Sequence, residues 1–86
     1  MFSVIIEKPA LKSLATIHSK DAKKITKAID ELAKNTRPNG VKKLKGRDDF
    51  YRIKVGNYRV IYEINDGVLV IVVVEIGHRK EVYKDF

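Results

Sequence analysis

Residues Val68 to Val74 read Val-Leu-Val-Ile-Val-Val-Val, seven consecutive apolar side chains, six of them β-branched. A strand that is apolar on both faces belongs in the interior of a sheet, because at an exposed edge it would pair with other chains. The run is far short of the roughly 20 residues a membrane span requires. The remainder of the chain must therefore supply flanking strands and a covering layer.

With 86 residues the chain supports one domain, residues 1–86, since two cores would each be too small to hold. Apolar residues make up 44%, with ten Val and ten Ile, enough for a small core and too many for a disordered chain. The absence of Cys excludes a disulfide staple, a thiolate nucleophile and a Cys-based zinc site. The opening Met-Phe-Ser-Val-Ile-Ile-Glu-Lys-Pro lacks a basic segment followed by an apolar one, so no secretion signal is expected. A soluble, cytoplasmic protein is expected.

Phe2 to Glu7 reads as a short strand of β-formers. Pro9 suits the first turn of a helix, and Ala10, Leu11, Leu14, Ala15 and His18 then recur at helical spacing. Ser19 and Asp21 are helix-start residues for a second amphipathic stripe of Ala22, Ile25, Ile29, Leu32 and Ala33. Thr36-Arg-Pro-Asn-Gly40 ends this helical hairpin. From Phe50 the period becomes two. Phe50 to Val55 and Tyr58 to Ile64 are strands joined at Gly56-Asn57, a pair suited to a type II′ turn, and Asn65-Asp66-Gly67 turns into the apolar run. The order predicts a small α+β fold: an N-terminal strand, a helical hairpin, then a mostly antiparallel three-stranded block, with the helices on one face of the sheet.

A two-residue loop at Gly56-Asn57 sets the hairpin register. Val55 opposes Tyr58, Lys54 opposes Arg59, Ile53 opposes Val60, and Arg52 opposes Ile61. One face then carries Tyr51, Ile53, Val55, Tyr58, Val60 and Tyr62, a core face. The other gathers Arg52, Lys54 and Arg59 with Phe50, Ile61 and Glu63. Alternate residues on a strand stand about 7 Å apart and directly paired ones about 5 Å, so three cations share one patch. A stable fold does not need that arrangement and a polyanion site does. Solvated lysines and arginines covering apolar surface would explain any one of them, but the cluster favours phosphate binding.

The formal charge of +7 points the same way. Residues 37–59 carry 8 basic against 2 acidic side chains, while residues 60–86 carry 3 against 5. After the central strand, Gly77-His-Arg-Lys-Glu-Val-Tyr83 turns where His78, Arg79 and Tyr83 can join the patch. His78 can move a proton or lie inert on the surface, Arg79 can clamp a phosphate or pair with Glu75 or Glu81, and Tyr83 can stack on a base or on the sheet. Two His without Cys argue against a transition-metal site, and no dinucleotide fingerprint, P-loop, Ser-centred elbow or carboxylate pair is present.

Leu44-Lys-Gly46, Phe50-Tyr-Arg-Ile-Lys-Val-Gly-Asn-Tyr-Arg-Val-Ile-Tyr-Glu-Ile64 and Gly77-His-Arg-Lys-Glu-Val-Tyr83 together resemble the RelE family of the RelE/ParE toxin superfamily, and the order of elements matches over nearly the whole chain. The resemblance implies the toxin of a type II toxin–antitoxin pair, an endoribonuclease that enters the ribosomal A site, cleaves mRNA there and inhibits translation. In the family reaction the ribose 2′-OH attacks the adjacent phosphate without a metal or other cofactor, so cations must stabilise the developing charge. Lys54 matches the position of the general base, Arg59 a phosphate clamp, Arg79 the arginine at the leaving oxygen, and Tyr83 the tyrosine that orients the scissile nucleotide. His78 stands where a relative's histidine can transfer a proton, so the acid falls to His78 or Arg79. A lysine base needs a lowered pKa, which Arg52 and Arg59 can provide by repelling its charged form. Arg52, Lys42, Lys43, Lys45 and Arg47 are expected to bind RNA. The implied partners are a cognate, acidic antitoxin, the ribosome with its rRNA, and mRNA, with no membrane or small-molecule cofactor. The chain ends soon after Tyr83, so the longer C-terminal helix of some relatives is not expected. Two rival functions use the same fold: a ParE-like non-catalytic inhibitor of DNA gyrase, and an inactive basic module that binds RNA or antitoxin.

Overall fold

The computed structural model describes residues 1–46 and 49–78. It contains β1 (Ser3–Ile6), α1 (Lys8–Thr16), α2 (Ser19–Leu32), β2 (Lys42–Lys43), β3 (Phe50–Val55), β4 (Tyr58–Asn65) and β5 (Val70–His78). The five strands form one sheet in the order β1-β5-β4-β3-β2. β1 runs parallel to β5, and the other pairings are antiparallel. The fold is α+β, and the apolar strand β5 lies inside the sheet as its composition requires.

Both helices cover one face. α1 carries Pro9 in its first turn and lies against β5, with Ala10 buried and Leu14 half-buried. Leu11 is exposed, so the buried stripe is narrower than the spacing suggests. His18, expected at the end of the first helix, instead caps the second: its Nδ1 accepts from the Lys20 backbone N–H at 3.3 Å. Ile25, Ile29 and Leu32 form the buried stripe of α2 and meet Ile53, Val60, Tyr62, Ile64, Ile71, Val73 and Ile76 from the sheet. The segment after α2 is moored to this layer. The buried Tyr62 hydroxyl donates to the Thr36 carbonyl at 2.8 Å, and the Arg37 guanidinium lies 5.2 Å from the Tyr51 ring centre and reaches Asp66 at 3.4 Å.

The hairpin register is the expected one, residue for residue from Arg52↔Ile61 to Val55↔Tyr58. Gly56 has φ +61 and Asn57 does not enter the left-handed region, the pattern of a type II′ turn. The next turn differs from expectation. It spans Asp66 to Leu69, so Val68 and Leu69 belong to the turn and are exposed, with Leu69 at φ +56. The short β2, two lysines paired with Tyr51 and Arg52, carries no apolar alternation and is not evident in the sequence.

One irregularity decides what β5 shows on each side. Tyr62 pairs with Val73 and Ile61 with Glu75, leaving Val74 as the extra residue of a β-bulge. Before the bulge the buried residues are Ile71 and Val73, and after it Ile76. The inward phase changes from odd to even, and Glu75 and Gly77 turn to the face away from the helices.

Candidate functional site

The face opposite the helices is built in rows across the sheet. Lys42 of β2, Arg52 of β3, Ile61 of β4 and Glu75 of β5 stand side by side in one row. Lys54, Arg59 and Gly77 form the next. Two directly opposed like-charge pairs, Lys42 with Arg52 and Lys54 with Arg59, therefore sit together, an arrangement that destabilises a sheet.

The cations are not equivalent. Arg52 is only 7% exposed, and it has no hydrogen-bond or ion-pair partner among the described residues. Arg59 is half-buried, and its Nε is fully buried without a partner. Lys54 is exposed where β3 runs past the end of β2, on the rim of a groove of about 320 Å³ floored by Leu32 and Ile53. Ile61, on the same face and opposite Arg52 and Glu75, is fully buried. Arginines held against the sheet without a carboxylate partner keep donors available for an anion from outside.

Of the residues expected to bind RNA, Lys42 and Arg52 meet on this face. Lys43 pairs with Tyr51 on the helix-side face, and Lys45 is exposed in the turn after β2. Arg47, Arg79 and Tyr83 lie outside the described residues. His78 does not join the cations. It pairs with Tyr58, and their rings make an edge contact with centres 6.0 Å apart, on the face that Tyr58 turns to the helices. The bulge at Val74 is the reason, since it sends even-numbered residues of the last part of β5 to that side. The same bulge brings in Glu75, and no alternation within the run Val70 to Val74 reveals the change of phase.

The matching family model, described as the ParE toxin of the type II toxin-antitoxin system parDE, covers residues 4–83. Toxin RelE3 of Methanocaldococcus jannaschii is 33% identical over 87 residues, spanning 96% of this chain and 97% of its own length. A chain of the archaeal RelE–RelB complex from Pyrococcus horikoshii OT3 superposes with a TM-score of 0.82 at 29% identity, covering 94% of this chain and 98% of that one. A chain of the intact E. coli RelBE toxin–antitoxin complex gives 0.80 at 26% identity, covering 91% and 96%.

Proposed function

The chain belongs to the RelE/ParE family of type II toxins, and from that premise we propose that it is a metal-independent endoribonuclease that cuts mRNA in the ribosomal A site and so inhibits translation. The observation that carries this reading is the cation face, in which a buried, unpartnered Arg52 stands beside the opposed pair of Lys54 and Arg59. Attack of a ribose 2′-OH on the adjacent phosphate places added negative charge on phosphorus-bound oxygens. Fixed guanidinium and ammonium groups stabilise that charge more strongly than water does, because they need no reorganisation. Arg59 clamps the reacting phosphate, Lys54 holds the family's base position, and Arg52 and Lys42 bind the flanking backbone. Arg79 supports the leaving oxygen and Tyr83 stacks on the scissile nucleotide. With His78 turned to the helix side, Arg79 is the better of the two candidates at the leaving group.

The partner outside the ribosome is a cognate antitoxin. Relatives have been crystallised as toxin–antitoxin complexes, and the +7 charge of this chain suits an acidic one. The ParE-like alternative, a gyrase inhibitor without catalysis, is consistent with the description of the matching family model. It leaves the two opposed cation pairs without a use.

Purified protein incubated with programmed ribosomes, with mRNA ends mapped by primer extension, tests the proposal. Cuts within the A-site codon are expected, absent on naked RNA and absent with Arg59→Ala. Intact mRNA at stoichiometric protein would overturn it, and inhibition of gyrase supercoiling by the same preparation would establish the alternative.

A further inference from the structure

A face made to receive phosphates should exclude carboxylates, yet the bulge at Val74 delivers one. Glu75 lies opposite Ile61, in the row of Lys42 and Arg52 and beside the row of Lys54, Arg59 and Gly77. It is the diagonal neighbour of Arg59, at about 7–8 Å between backbones, within reach of long side chains. Gly77 ends the Arg59 row without a side chain, and such a position lets a ligand approach the backbone closely.

The bland role for Glu75 is that of counter-ion to the arginines. Among the described residues, however, the ion pair is Arg37 with Asp66, on the other side of the sheet, and none joins Glu75 to Arg52 or Arg59. The half-buried Glu75 carboxylate instead folds back, Oε1 accepting from the Ile76 backbone N–H at 3.2 Å. One oxygen is thereby oriented by the bulge itself, and on the diagonal position Arg59 keeps a buried Nε without a partner.

Resting on the endonuclease reading above, we propose that Glu75, in place of Lys54, is the proton acceptor of the cleavage step, and that Lys54, although at the family's base position, joins Arg59 as a charge that holds the phosphate. The Glu75 carboxylate takes the proton of the ribose 2′-OH. The 2′ oxygen bonds to the adjacent phosphorus, and the bond from phosphorus to the 5′ oxygen breaks. That oxygen leaves with a proton from water, and Glu75 returns its own proton to solvent. A carboxylate is suited to this task because it accepts directly, whereas an amine accepts only after losing a proton.

The test is single-turnover cleavage of ribosome-bound mRNA, with ribosome binding measured in parallel. Glu75→Gln keeps the shape and removes the basicity. It is expected to slow cleavage by about 100-fold or more and to bind ribosomes as tightly as the parent or more tightly. Glu75→Asp, which keeps a carboxylate, is expected to cut at a rate between those of the parent and the Gln variant. If Glu75→Gln does not fold, as judged by thermal unfolding, Glu75→Asp carries the test, and an undiminished rate from it overturns the proposal. A Glu75→Gln rate within a few-fold of the parent, as the counter-ion role requires, overturns it as well. A parent chain that leaves mRNA intact removes the reaction itself, an outcome distinct from a parent that cuts and a Gln variant that cuts equally.

Discussion

Arg52 is almost wholly covered and faces a like charge, Lys42, directly across the strand pair, an opposition that costs stability. Replacing it with Met, close in volume and apolar, is expected to leave the melting temperature unchanged or raised. The same change should weaken ribosome binding by about 1.5–3 kcal/mol, the worth of a hydrogen bond to a charged group. Thermal unfolding and a binding titration on one protein preparation check both halves. Arg59 is expected to behave differently, because the proposed reaction asks it to stabilise the charge that appears during cleavage. Arg59→Ala is expected to lower the cleavage rate by about 10²–10³ while the antitoxin is still bound, measured by single-turnover kinetics and pull-down. The opposition of Lys54 and Arg59 was legible in the sequence because a two-residue loop at Gly56-Asn57 leaves the register no freedom. The burial of Arg52 was not, since Tyr51-Arg52-Ile53 reads like any alternating strand with an outward cation.

Among the elements, β4 and β5 carry the decisive information. Tyr62 crosses the core to bond the Thr36 carbonyl, and burial pushes its phenol well above the ordinary range, only partly offset by the nearby Arg37 charge. On raising pH the unfolded chain releases that proton first, so stability is intact below the ordinary phenol range and is lost as pH rises above it. Tyr62→Phe is expected to cost about 1 kcal/mol near neutrality and to flatten the alkaline decline, as urea titrations at both pH values would show. Ile76 is core only because of the bulge, and Ile76→Ala is expected to cost about 2–5 kcal/mol by the same measurement. The helices, the hairpin and the interior placement of β5 were readable because periods of 3.6 and two leave clear traces. The bulge left none, since Val72, Val73 and Val74 are the same residue, and a phase change hidden among identical side chains has no signature. A turn after the central strand would bring His78 to the cations, whereas β5 runs on through His78 and the bulge sends it to the helix side.

At the scale of the molecule, the sheet separates two tasks: the helix side holds the apolar core and the far side holds the cations. Ribosome binding should fall steeply with salt, and removing Lys42, Arg52 or Lys54 singly should reduce the slope of log affinity against log salt by about one each. An unchanged slope in all three variants would place the contacts elsewhere. Apart from β2, the order of elements and the α+β layering were legible; the parallel seat of β1 beside β5 was not, because a four-residue strand carries no mark of its direction.

The strict alternation of faces along β3 and β4 also shapes how a cell could escape this protein. Bacteria or archaea forced to express it without an antitoxin would survive by inactivating it, and the surviving alleles should fall into two interleaved classes. Changes at 53, 60 and 62 would remove the protein by unfolding it. Changes at 52, 54 and 59 would leave a folded, harmless molecule that still occupies antitoxin. Sequenced survivors, sorted by whether the product remains soluble, should therefore alternate with a spacing of one residue along the hairpin.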